Sequence, residues 1–157
     1  MTKIYFDSRK CLGCHSCEFA CAVEHSAGKD PARAHLEAEV PVPRRNVKLV
    51  EGTCLTVACR ECEPAPCAAA CIAGAMDKQD GTVRCDTDKC IGCWMCVMVC
   101  PFDAVRPGKL YTIKCDMCPD RKGESYACAV ACPTGALFAA TPEEFQKFLA
   151  KKAEAVK

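Results

Sequence analysis

The chain has 157 residues, a formal net charge of +1, 18 cysteines and only 6% aromatic residues. That length allows one compact unit or two very small ones, and so little aromatic surface cannot build a large conventional core. No basic run marks a nucleic-acid footprint, no apolar run approaches a direct membrane span, and Met1-Thr2-Lys3-Ile4-Tyr5-Phe6 is not a secretory leader, so the expected setting is cytoplasmic.

Lys3 to Asp7 reads as a short strand leading into the first of four cysteine groups. Cys11, Cys14, Cys17 and Cys21 are spaced C-x2-C-x2-C-x3-C. His15 falls inside this loop and reads as solvated or sulfur-facing, because Cys14 and Cys17 already take the ligand positions. Residues 22–58 read as a linker, with a turn at Gly28-Lys29-Asp30-Pro31 and an extended, edge-like stretch from Glu39 to Val50 that holds Pro41 and Pro43. The second group, Cys59, Cys62, Cys67 and Cys71, is C-x2-C-x4-C-x3-C. Thr82 to Asp86 is a second strand-like lead-in, to Cys90, Cys93, Cys96 and Cys100, which repeat the first spacing and end on Pro101. The fourth group, Cys115, Cys118, Cys128 and Cys132, is C-x2-C-x9-C-x3-C followed by Pro133. In every group the third and fourth cysteines are i and i+4, on one face of a helical turn. Pro101 and Pro133 should end two of these turns, and Ile72 in that position should relax the end of another. The tail is helical: Thr141 caps it, Pro142 takes the first helical position and Glu144 completes a capping box. Phe145, Phe148, Leu149 and Val156 form a narrow apolar stripe that is expected to dock on the chain's own body.

Four groups of four thiolates point to iron. Thiolate is a soft donor, and each group can give three ligands to one cubane and a fourth to another, so the expectation is four [4Fe–4S] clusters. Zinc prefers two separated C-x2-C knuckles, which these triple-cysteine loops do not resemble. Disulfides fit neither the spacing nor the setting. Gly13 and Gly92 permit positive φ and a close backbone approach to sulfur. At about 2− per oxidised site, the four sites take the holoprotein to about −7, so Arg9, Lys10, Arg60, Lys89 and Lys114 read first as counter-charges. Trp94, Met95 and Met98 read as packing over the third group's cluster, and Cys54 and Cys85, outside the groups, as small buried hydrophobes. The metal sites should hold the fold together, leaving the apo-protein largely unfolded. No C-x3-C-x2-C radical motif, G-x-G-x-x-G or P-loop accompanies them, so the expected chemistry is single-electron movement with no substrate site.

The chain also reads as a duplication: CLGCHSCEFAC at 11–21 matches CIGCWMCVMVC at 90–100, and CRECEPAPCAAACIAGAM at 59–76 resembles CDMCPDRKGESYACAVACPTGAL at 115–137. Through CRECEPAPC, CIGCWMCVMVCPF and ACPTGAL it resembles the four-cluster ferredoxins typified by the iron–sulfur subunits of dimethyl sulfoxide reductase and formate dehydrogenase. CLGCHSCEFACAVEHS and CWMCVMVCPF look most like the short iron–sulfur subunit of carbon monoxide dehydrogenase, and similar subunits serve tungsten aldehyde oxidoreductases and hydrogenases.

The resemblance implies an α+β fold of two nested, pseudo-symmetric two-cluster ferredoxin-like halves over 1–140, with a C-terminal helix over 141–157. It also implies crossed ligand sets: Cys11, Cys14, Cys17 with Cys132; Cys115, Cys118, Cys128 with Cys21; Cys59, Cys62, Cys67 with Cys100; and Cys90, Cys93, Cys96 with Cys71. The function implied is an electron-transfer subunit between a catalytic oxidoreductase (carbon monoxide dehydrogenase, tungsten aldehyde oxidoreductase or hydrogenase) and a second redox protein, with the loop Pro119 to Ala127 as a contact surface. A metalloenzyme maturation protein and a diffusing polyferredoxin are the competing readings.

Overall fold

The computed structural model describes residues 2–121 and 126–154. The chain pairs into four separate two-stranded antiparallel sheets. Strand β1 (Lys3–Phe6) pairs with β8 (Leu137–Ala140), Lys3 opposite Ala140 and Phe6 opposite Leu137, so the chain closes on itself. The other three are local hairpins: β2 (Asn46–Val50) with β3 (Thr53–Val57), β4 (Met76–Gln79) with β5 (Thr82–Cys85), and β6 (Val105–Pro107) with β7 (Thr112–Lys114). Two of their turns put both central residues at positive φ, Glu51 with Gly52 and Asp80 with Gly81, the backbone twist a two-residue hairpin favours. Both lead-in strands form where the sequence places them, each one residue shorter.

The linker differs from its expectation. Residues 39–45 form no strand, since Pro41 and Pro43 lack the N–H a ladder needs. Pairing starts at Asn46, and β3 was not anticipated because Leu49, Val50 and Leu55 stay exposed and blur the alternation.

Helices α1 (Ser16–Glu24), α2 (Pro66–Ala69), α3 (Met95–Met98) and α4 (Ala127–Val130) each carry the third cysteine of a group as their second residue. That cysteine is buried in all four cases: Cys17, Cys67, Cys96 and Cys128. The turn without a proline is not relaxed. α2 spans four residues like α3 and α4, and its chain is turned by Gly74 at φ +61, three residues beyond Cys71, where Asp103 and Gly135 stand after Cys100 and Cys132. Only α1 runs on, past Cys21 to Glu24.

α1 packs on α4, and α2 on α3. Two apolar clusters result. One joins Ala65, Cys67, Met76, Val83, Cys96 and Val105, and the other joins Cys17, Cys128 and Leu137 with Ile4, Phe6 and Val47 against them. Cysteines make up much of both, as the composition requires. Helix α5 (Pro142–Glu154) docks on the β1–β8 sheet. Thr141 and Glu144 exchange the two capping-box hydrogen bonds at 2.7 and 3.3 Å. Phe145 stacks on Tyr5 at 3.8 Å, Phe148 meets Phe138 at 5.1 Å, and Lys152 reaches the buried Asp7 at 2.9 Å. Val156 lies outside the described residues, as do 122–125 of the proposed contact loop. No helix among the described residues is long and apolar enough to cross a membrane.

Candidate metal centres

The sixteen group cysteines converge in four places, and each place mixes two groups. One cavity is lined by Cys11, Cys14 and Cys17 with Cys132. A second is lined by Cys90, Cys93 and Cys96 with Cys71. A third is lined by Cys59, Cys62 and Cys67 with Cys100. The last gathering is buried: Cys21 lies within electrostatic reach of Cys115, Cys118 and Cys128, and all four thiols are shielded from solvent. The packing of α1 on α4 and of α2 on α3 brings about this exchange, because the i+4 cysteine of each helix faces its partner's loop.

The four loops share a backbone device. The residue before the second cysteine is left-handed each time: Gly13 (φ +67), Glu61 (+49), Gly92 (+67) and Met117 (+62). That kink turns the loop so that its thiols face one way. At Gly13 and Gly92 a side chain would also lack room, since a Cβ would come 2.9 Å from Cys54 Sγ and 3.2 Å from the Leu110 carbonyl oxygen.

A second device concerns the fourth cysteine of each group. Every one accepts a backbone N–H: Cys71 from Ala75 at 3.2 Å, Cys100 from Ala104 at 3.4 Å, Cys132 from Leu137 at 3.4 Å and Cys21 from Arg44 at 3.2 Å. The first three donors follow from the tight turn after the helix. α1 makes no such turn, and the linker supplies the donor instead. Such bonds stabilise a thiolate and raise the potential of a metal bound to it.

The donor chemistry fits a polynuclear iron–sulfur group. Burial pushes the Cys17 thiol up to about 11 and those of Cys21, Cys59 and Cys118 to about 12, and it raises Cys115 as well. Thiols held that high stay protonated at neutral pH, so they become ligands only when a cationic core takes the place of their protons. At the edge the balance reverses. Ser16 hydrogen bonds hold Cys14 below its ordinary value, and at Cys132 the Leu137 N–H leads the hydrogen bonds that outweigh burial.

Around the buried set lies a polar network the sequence did not announce. His25 Nε2 meets Asp116 Oδ1 at 3.1 Å, its Nδ1 lies 2.7 Å from the Cys21 carbonyl, and Arg44 pairs with Asp116. Burial works against the Asp116 carboxylate, but the His25 hydrogen bond and the Arg44 charge hold it well below the usual range. These residues are scattered over 25–116, and only their nearness to Cys21 and Cys115 could have flagged them.

Several lesser expectations resolve. Arg9 pairs with Asp7 and Lys89 with Asp86, while Arg60 sits 4.3 Å over the Phe102 ring, so these cations have partners other than sulfur. His15 is exposed and bonded to Glu18 at 2.8 Å. Trp94 lines the cavity of Cys90 and Cys93, but Met95 and Met98 do not; they are exposed, Met98 by 80%, because a four-residue helix turns them outward. Cys54 and Cys85 are half-buried, and Cys85 packs against the larger apolar cluster.

A family model described as a 4Fe-4S dicluster domain matches residues 50–141. A protein of Rhodospirillum rubrum named iron-sulfur protein is 42% identical over 151 residues, covering 85% of this chain and 79% of that one. The electron transport protein HydN of Escherichia coli K12 is 36% identical over 168 residues, covering 95% and 93%. The thiosulfate reductase electron transfer subunit PhsB of Salmonella typhi is 34% identical over 154 residues, covering 93% and 80%.

Proposed function

The chain belongs to the 4Fe-4S dicluster family of iron–sulfur proteins, and from that premise we propose that it is an electron-transfer subunit holding four [4Fe–4S] clusters. The observation that carries this is the gathering of sixteen thiols into four sets of four, every set complete. In this reading the ligand sets are Cys11, Cys14, Cys17, Cys132; Cys115, Cys118, Cys128, Cys21; Cys59, Cys62, Cys67, Cys100; and Cys90, Cys93, Cys96, Cys71. Residues 1–140 form the four-cluster domain, two nested ferredoxin-like halves, and 141–157 the C-terminal helix.

When bound, such clusters accept and release one electron each without making or breaking substrate bonds. The residues divide the work around them. Cys14 and Cys93 are exposed, each beside an exposed aliphatic residue, Leu12 or Ile91, so their two sets are the natural points of exchange with other proteins. Cys21, Cys115, Cys118 and Cys128 are buried and belong to the interior. With four complete thiolate sets, no iron is left open to a substrate. The partner is then a catalytic oxidoreductase subunit; the Salmonella relative is named an electron transfer subunit of thiosulfate reductase. The carbon monoxide dehydrogenase type is the finer reading, and a second redox protein completes the relay.

Anaerobic coulometric reduction tests the proposal. The holoprotein should take up about four electrons per chain, one for each cubane. An uptake of about two contradicts it.

A further inference from the structure

Two buried cations flank the Cys115 set. Arg45 is 5% exposed, and its Nη1 donates to Thr56 Oγ1 at 2.8 Å. Its Nε is buried and has no hydrogen-bond partner among the described residues. An unpaired buried cation is costly unless a compensating negative charge lies close by. It is placed between two cysteine sets: the preceding residue, Arg44, donates its N–H to Cys21 Sγ at 3.2 Å, and Thr56, which Arg45 bonds, lines the cavity of Cys11, Cys14 and Cys17.

Lys114 is the second cation, with its side chain 2% exposed. It donates to the Cys115 carbonyl at 2.6 Å and to the Val83 carbonyl. Glu61, equally buried, lies 3.5 Å from it and accepts the Val83 N–H at 2.6 Å. Glu61 stands between Cys59 and Cys62, so the pair forms a fixed dipole, negative toward the Cys59 set and positive toward Cys115. Because Glu61 sits within the Cys59 loop, its charge opposes that of Lys114 at that set. At the Cys115 set the two cations act in the same direction, Lys114 from its bond to the Cys115 carbonyl and Arg45 from its place next to Arg44, whose N–H bonds Cys21. Asp116, the carboxylate beside Cys115, is itself held by Arg44 and His25, which blunts its opposition.

We infer that Arg45 and Lys114 together make the Cys115, Cys118, Cys128, Cys21 set the highest-potential centre of the chain, where an electron rests between its entry and its exit. This rests on the four-cluster reading. A cation held in a low-dielectric interior stabilises the added negative charge of a reduced site, and two such cations stabilise it more than one. Each cation is also shared with one neighbour, Arg45 with the Cys11 set and Lys114 with the Cys59 set.

The test is an anaerobic redox titration of the holoprotein followed by electron paramagnetic resonance, on wild type, Arg45→Gln, Lys114→Met and Glu61→Gln. In wild type one of four centres should reduce first. Arg45→Gln and Lys114→Met should each lower the midpoint of that centre and of one neighbour, a different neighbour in each variant. Glu61→Gln removes the opposing charge and should raise the midpoints that Lys114→Met lowers. That reversal of sign keeps the test decisive if Lys114→Met does not load iron, and a merely structural role would not produce it. Four centres with the first to reduce unmoved by Arg45→Gln, or moved downward by Glu61→Gln, overturn the inference and leave the four-cluster reading intact. Fewer than four centres in wild type overturn the reading itself, and the inference with it.

Discussion

At Gly13 and Gly92 the backbone holds the same φ of +67, yet what surrounds each differs. A Cβ at Gly13 meets the Cys54 thiol, which is a side chain that substitution can remove; at Gly92 it meets the Leu110 carbonyl, which is backbone and cannot be removed. Left-handed backbone costs an alanine about 1–2 kcal/mol in either place. Gly13→Ala should therefore be partly rescued by Cys54→Ala, whereas Gly92→Ala should keep its full cost. The midpoints of anaerobic urea unfolding of the holoproteins measure this, and equal rescue at both positions contradicts it. The glycines were legible in the sequence as loop residues. Glu61 and Met117 were not, because nothing in their type announces a left-handed residue. At Glu61 the side chain's bond to the Val83 N–H helps to hold the loop.

Three of the four cysteine-bearing helices are about one turn long, α1 being longer, and the placement of each decides where the fourth thiol lands. The i, i+4 spacing allows this thiol to leave its own loop. Its destination depends on which helices pack, α1 on α4 and α2 on α3, and that long-range choice leaves no mark in local spacing. The resemblance supplied what the pattern alone could not. Cys21→Ser tests the crossing. It should alter the spectrum of the centre held by Cys115, Cys118 and Cys128, and a change confined to the centre held by Cys11, Cys14 and Cys17 contradicts it. No hairpin was read from the sequence: of the β4–β5 pair only the lead-in strand from Thr82 was, although Asp80-Gly81 carries the signal for a two-residue turn, and β2 and β3 carry exposed aliphatics that hid their pairing. The capping box of α5 was readable because every residue of it is local.

As a whole, the described residues form four two-stranded sheets and five α-helices, three of the helices only four residues long. A two-stranded sheet is marginal by itself in water, and neither apolar cluster holds more than a handful of side chains. What crosses the long distances in the chain is cysteine: Cys11 with Cys132, Cys21 with Cys115, Cys59 with Cys100 and Cys71 with Cys90. In the four-cluster reading proposed above, cofactor and framework would be one thing, which is what the scarcity of aromatic residues leads one to expect. The network of His25, Arg44 and Asp116 and the charges of Arg45 and Glu61 became visible only in three dimensions, whereas Lys114 already read as a counter-charge in the sequence. The number of clusters is the claim on which the rest depends. Anaerobic analysis of the purified holoprotein should find about 16 iron atoms and as many acid-labile sulfides per chain, the content of four cubanes. About 8 of each contradicts the account.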